Sequence, residues 1–287
     1  MAVLGRGEGH GGISILHALG AGYGSTVSIT LSTRVQLRDS PVKTQPDDPH
    51  GLIPSTMETW ESAGLSLPES EEFHWAVRSD IPMGRGVKSS AALAVACIRA
   101  LSDATGTELA NHQIVDLASA AQLACGCSLT GSVDDSWSAV EAGWKVVDPS
   151  VPAAEGVLMQ GEIEGAGDWT ILIIDRGPRE LDIDPERFQM ASGQFQQAIS
   201  AVEREQIFTA MIQNGRAVAT ATGDTLGRKI CNDLGIIGSR VSTITGSGPA
   251  IVSILPSSLD ASIRRIKQTL EPRGWNVIET KFLTSEA

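Results

Sequence analysis

The chain has 287 residues, 41% of them hydrophobic but only 4% aromatic, and a formal net charge of −12. That length allows two modest domains or one large one, with a core built from Ala, Val, Ile and Leu. No run of Lys or Arg exceeds a pair, so a nucleic-acid partner is excluded and the acidity reads as a solubility feature.

Near the N-terminus, Gly7-Glu8-Gly9-His10-Gly11-Gly12 fits G-x-G-x-x-G. The few residues ahead of Gly5 are too short for the strand that a dinucleotide turn needs, so the match is read as a coincidence with at most a substrate-side role. Ser25–Asp39 alternates β-branched residues at period two and predicts a long strand. Ser40–Ser55, with Pro41, Pro46, Pro49 and Pro54, predicts a loop. Glu72–Pro82 predicts a second strand, stopped by Pro82. Ser89–Ala104 predicts a helix that is apolar on most faces and therefore buried. Asn111–Cys125 predicts another, capped by Asn111. Thr130–Ala139, "TGSVDDSWSA", reads as a turn-rich segment, and "GWKVVD" as a short strand.

A domain boundary is expected in the Pro-, Gly- and Glu-rich stretch 149–167, giving domains of 1–155 and 156–287. "WTILIID" (Trp169–Asp175) is a continuous apolar run and predicts a strand buried on both faces. Residues 185–234 are helical in pattern with interruptions at Gly193, Gly215 and Gly223. The chain closes as strand, helix and strand, with Ser258 as the cap of the helix. Mixed strands and helices in both halves argue α+β with two domains. The four cysteines Cys97, Cys125, Cys127 and Cys231 have no zinc spacing and read as reduced, mostly buried thiols of a cytoplasmic protein. Neither a signal peptide nor an apolar stretch of about 18 residues is found, so no membrane partner is expected.

The segment "PMGRGVKSSAA" (Pro82–Ala92) carries the chemistry. A Walker A loop requires glycine directly before the lysine, where Val87 stands; a dinucleotide turn requires glycine at Ser89. Both fail. Gly84 and Gly86 instead allow a turn with exposed amides, and Ser89-Ser90-Ala91-Ala92 starts a helix whose N–H groups and dipole favour an anion. Lys88 adds a charge there, and the Ser90 hydroxyl can reach a phosphate-bound Mg²⁺. A plain glycine turn capped by serine accounts for the same residues.

The same segment, P-x3-G-V-K-S-S-A-A, resembles the P-x3-G-L-G-S-S-A-A motif of the GHMP kinases. Lys88 stands where most members have glycine, a feature similar to the G-L-K-S-S-S-A loop of the archaeal-type shikimate kinases. Thr130–Ala139 resembles the T-G-x-x-D-D segment of that branch. Thr243–Leu255, "TITGSGPAIVSIL", resembles the C-terminal motif in the S-G-x-G-P-A form of the homoserine and shikimate branches. His17–Ile29 resembles the stretch before the long strand of the archaeal-type shikimate kinases. The sugar-kinase signature R-x-N-L-x-G-E-H-x-D is missing.

The resemblance implies an α+β GHMP kinase fold with a ferredoxin-like C-terminal domain and a phosphorylation of shikimate by ATP with Mg²⁺. It implies that Pro82, Gly84, Arg85, Gly86, Val87, Lys88, Ser89, Ser90, Ala91 and Ala92 form the ATP loop. Asp134 and Lys88 would be catalytic, Ser90 would meet the metal, and Asp134, Gly246, Ser247 and Gly248 would face the substrate. Arg34, Arg176 and Arg179 are candidates for the substrate carboxylate. Residues 117–133 hold no Asp or Glu, so the second metal carboxylate of mevalonate kinase has no counterpart; Asp135 or water would replace it. Homoserine kinase, and a non-catalytic nucleotide sensor on the same fold, are the competing readings. The partners implied are ATP and a small molecule, with the chain a monomer or homodimer.

Overall fold

The computed structural model describes residues 2–179 and 183–285. Its first half is a five-stranded antiparallel sheet. Strand β1 (Val3–Leu16) turns through the short helix α1 (Ala18–Ala21) into β2 (Gly24–Arg38), and the two pair over most of their length. Helix α2 (Leu52–Ser62) follows, then β3 (His74–Ser79), α3 (Ser89–Thr105), α4 (Asn111–Ala124), α5 (Val133–Val140), β4 (Trp144–Val147) and β5 (Val157–Gly161). Strands β4 and β3 share one edge of β2, along Gly24–Val27 and Thr33–Arg38. Because β5 pairs with β4, the first sheet runs past residue 155, to Gly161.

The second half is a four-stranded antiparallel sheet in the order β7-β8-β6-β9. After β6 (Trp169–Asp175) come α6 (Pro185–Met190), α7 (Ser192–Val202), α8 (Ile207–Thr222) and α9 (Thr225–Ile237). Then follow β7 (Val241–Ile244), β8 (Ile251–Pro256), α10 (Asp260–Leu270) and β9 (Asn276–Thr280). The closing strand, helix and strand are a split βαβ, since β6 lies between β8 and β9. This is the ferredoxin-like order. Alternate residues of β6 explain its unbroken apolar run. Ile171 and Ile173 pack with Ile13, Ile15 and Ile29 of the first sheet, whereas Leu172 and Ile174 pack with Phe195, Ile230 and Ile266. One core therefore joins the halves. The chain end adds to it: Phe282 bridges to Ile29, and the Thr30 amide donates to the Lys281 carbonyl.

Several local expectations shift. The glycine-rich N-terminus is strand β1, not an isolated motif. Gly5, Gly7 and Gly9 face the ridge Ala100, Ala96 and Ala92 of α3, and a Cβ on Gly7 would lie 1.9 Å from the Ala96 carbonyl oxygen. Two strand residues advance about 6.7 Å and four helical residues about 6 Å, so the two small-residue rows stay in step. The loop 40–55 ends early, because Asp48 accepts hydrogen bonds from the Leu52 and Ile53 amides and starts α2. Residue 110, not Asn111, precedes the first turn of α4. "VDDSWSAV" is helix α5, with both aspartates in its first turn, where the helix dipole favours acids. Gly193 and Gly215 lie inside α7 and α8; the breaks fall at Ala191, at 203–206 and at Gly223. Helix α10 starts at Asp260, its first hydrogen bond running from Ile263 to Leu259 rather than to Ser258. All four cysteines are free; Cys97 is buried and the others are half-buried.

Candidate active site

The loop before α3 owes its path to left-handed residues: Gly84 (φ 67°), Gly86 (φ 82°) and Lys88 (φ 68°). A non-glycine residue in that region costs roughly 1–2 kcal/mol, and the Lys88 side chain is paired as well. Its Nζ lies 2.7 Å from Asp135 Oδ1, and the lysine side chain is only 8% exposed. The Ala92 amide makes the first bond of α3, to the Lys88 carbonyl. The amides of Ser89, Ser90 and Ala91 precede it and are the free donors of the helix terminus. Val87, Ala91 and Ala92 are fully buried and can meet a ligand only through their backbone. Arg85 donates to Asp175 Oδ1 at 2.5 Å and to the Met83 carbonyl of the loop at 3.1 Å.

Asp134 is buried next to Lys88 and Asp135. The Thr26 hydroxyl sits 2.7 Å from Asp134 Oδ2 and 2.8 Å from Asp135 Oδ1, one hydrogen shared by two carboxylates. Burial pushes the Asp134 carboxyl up to about 7, the Asp135 charge adds to the rise, and Lys88 with the Thr26 hydrogen bond opposes it. Gly24 makes room for this carboxylate, since a Cβ there would lie 2.3 Å from Asp134 Oδ1.

Ser90 donates to Gln122 Oε1 at 3.0 Å. Gln122 is fully buried on α4, and its amide donates to the Ala118 carbonyl and to Ser136. Thus the residue of 117–133 that faces Ser90 is a neutral amide. Among the described residues no group of three or more His, Cys, Asp or Glu gathers to hold a metal. Ser90 Oγ, Gln122 Oε1 and the Asp134 carboxylate are hard oxygen donors, which suits Mg²⁺ that keeps most of its ligands from water and phosphate.

The Gly246–Gly248 turn is stitched to the middle of the loop and to β1. Thr245 Oγ1 donates to the Gly86 carbonyl, the Ala250 amide to the Arg85 carbonyl, and the Gly246 amide to Ser14 Oγ. Ser247 Oγ lies 2.8 Å from His17 Nε2. His17 stacks on Phe188 with ring centroids 4.5 Å apart. Burial, reinforced by Lys88, pushes this imidazole down to about 3 against the pull of Asp135, so it is neutral at any working pH. Beside Ser247 opens a cleft of about 450 Å³ whose walls include Arg176, Arg179, Arg187, Phe188 and Pro249.

The three arginine candidates separate by what already holds them. Arg34 is exposed and paired with Glu8. Arg176 grips Asp224 through both terminal nitrogens and the Pro249 carbonyl through Nε. Arg179 donates only to the Gly248 carbonyl, at 2.9 Å, and among the described residues has no carboxylate partner. Thr26, His17 and Gln122 were not singled out from the sequence; a lone buried amide in the Ala-rich helix α4 was the readable signal for the last.

The profile of the GHMP kinases N terminal domain matches residues 56–143, from α2 through the phosphate loop and α5. The shikimate kinase of Thermoplasma acidophilum is 26% identical over 249 residues, covering 85% of this chain and 84% of its own. That of Methanobrevibacter smithii is 25% identical over 285 residues, covering 94% of each. Residues 56–143 thus carry the GHMP kinases N terminal domain. The chain also shares its fold with the mevalonate kinase of Methanococcus jannaschii, at a TM-score of 0.74 and 12% identity over 97% of this chain and 98% of that one. A homoserine kinase from Cytophaga hutchinsonii gives 0.64 and 14% over 97% and 95%. No helix among the described residues is long and apolar enough to cross a membrane.

Proposed function

We propose that this protein transfers the γ-phosphoryl group of ATP to a ring hydroxyl of shikimate, acting in the cytoplasm. The observation that carries the reading is the buried Lys88–Asp135–Asp134–Thr26 cluster at the N-terminus of α3. The shikimate kinases similar to the chain over nearly its whole length support the acceptor. The acceptor oxygen bonds to the γ-phosphorus as the bond from that phosphorus to its bridging oxygen breaks. ADP leaves with that oxygen and its electron pair, and the hydroxyl proton passes to Asp134. A carboxyl near 7 is matched to that proton transfer at neutral pH.

The amides of Ser89, Ser90 and Ala91 would hold the phosphates, with Gly84 and Gly86 keeping the loop clear of side chains. Mg²⁺, when bound, would neutralise charge on the transferring group; Ser90 and Gln122 would hold it, with water completing the shell. Lys88 would anchor Asp135 and lend its charge to the phosphates. Ser247, between Gly246 and Gly248, would meet the acceptor. Arg179 would take the shikimate carboxylate, because Arg34 and Arg176 are already paired. A coupled ADP-release assay with shikimate, homoserine and mevalonate tests the reading. Turnover of shikimate alone is expected. Turnover of homoserine without shikimate would replace the acceptor, and nucleotide binding with no turnover would make the protein a sensor.

A further inference from the structure

A second cleft, of about 420 Å³, lies in the C-terminal half where α8 and α9 stand over β7. One stripe of each helix walls it: Ile212 and Arg216 from α8, and Arg228, Asn232 and Ile236 from α9, at helical spacing. The neighbouring stripe of α9, with Ile230 and Leu234, is buried in the core, so the polar stripe is left facing the cleft. Arg240, on the turn into β7, and Ser242, on β7 itself, complete the lining.

Three guanidinium groups therefore line one cleft in a chain of net charge −12. Elsewhere Arg34 pairs with Glu8, Arg85 with Asp175 and Arg176 with Asp224. Among the described residues, Arg216, Arg228 and Arg240 have no carboxylate within ion-pair distance. Ser242 Oγ lies behind this lining, out of contact with solvent and without a hydrogen-bond partner among the described residues. Guanidinium forks select carboxylate and phosphate oxygens. Ile212, Ile236 and Ile244 give the same cleft an apolar wall, and its volume is that of a small-molecule site.

We infer that this cleft binds a small organic anion, a carboxylate or phosphate ester on an apolar body, at a place separate from the cleft of Arg179 and Ser247. Calorimetric titration at low ionic strength tests this on the intact enzyme, saturated with Mg²⁺ and a non-hydrolysable ATP analogue so that the phosphate loop is filled. Phenyl phosphate and benzoate are the two probes, and they separate a phosphate ester from a carboxylate source. At least one probe should bind with one equivalent and weaken as KCl is added. Its affinity should fall about tenfold or more in the Arg228→Gln/Arg240→Gln variant, remain in Arg179→Gln, and leave turnover of the double variant at the wild-type level. Saturable binding of neither probe, or binding lost in Arg179→Gln and kept in the double variant, would overturn the inference.

Discussion

The two ends of α3's contact surface are built on opposite terms. Along the body of the helix, Ala92, Ala96 and Ala100 meet Gly9, Gly7 and Gly5 of β1 with no room for a methyl group. Hydrogen bonds from Arg99 to the Glu8 carbonyl and from the Arg6 amide to Asp103 flank that seam, and the contact fixes where the helix lies. At its N-terminus, Lys88 stands in a left-handed conformation and its largely buried side chain faces the buried Asp134 and the half-buried Asp135. Buried ion pairs seldom stabilise a fold over apolar packing, and a raised carboxyl is a cost of folding at neutral pH. The body is optimised for position and the terminus for charge. A strained, charged site needs a rigid mount, and the glycine–alanine seam supplies it.

The sharpest break in that comparison is Asp134→Asn. Removing a proton acceptor costs roughly 10²- to 10⁴-fold in rate, so kcat should collapse while the affinity for an ATP analogue holds, as read by rapid-quench kinetics and titration. Unchanged turnover would remove Asp134 from the chemistry. Stability should move the other way. A carboxyl raised from about 4 to about 7 in the folded chain favours folding while protonated, and that contribution is lost as pH rises through 7. Asparagine does not ionise. The variant should therefore melt above wild type at pH 8 and lose this advantage towards pH 4, in paired thermal scans.

On the body of the helix the effect should be structural. Gly7→Ala places a Cβ against the backbone of Ala96, which cannot move aside without shifting α3. A loss of about 3 kcal/mol is expected, at the upper end of overpacking effects, measured by urea unfolding. A substitution there that left stability intact would mean that β1 and α3 are not in fixed register.

How much of this was legible depends on whether a residue's meaning is local. The phosphate loop, α3 and β6 were readable, because glycines before an apolar helix and an unbroken Ile/Leu run carry their own explanation. Strand β1 was not, since glycine weakens a strand and makes sense only against the alanine ridge. Read together, glycines at every second residue and alanines at every fourth were a usable signal. Helix α5 was hidden by its shortness and by adjacent aspartates that also suit a turn. Gln122 escaped a search for carboxylates. The choice among Arg34, Arg176 and Arg179 lay beyond the sequence, because it turns on which of them Glu8 and Asp224 already occupy.

The smallest expected difference is the most discriminating, because it separates the backbone and charge of Lys88. Lys88→Gly and Lys88→Met both remove the ion pair with Asp135. Both take away the charge that holds the Asp134 carboxyl down, so the pH–rate profile of each should shift towards higher pH. They differ in the backbone. Glycine accepts a φ of 68° without strain, whereas methionine keeps the left-handed penalty and loses the lysine's partner. The glycine variant should therefore be more stable than the methionine variant by about 1 kcal/mol, read from denaturant midpoints at equal slope. Equal stabilities would mean that the loop relaxes once the ion pair is gone. The left-handed turn would then be a consequence of the Lys88–Asp135 contact rather than a frame that the glycines impose on it.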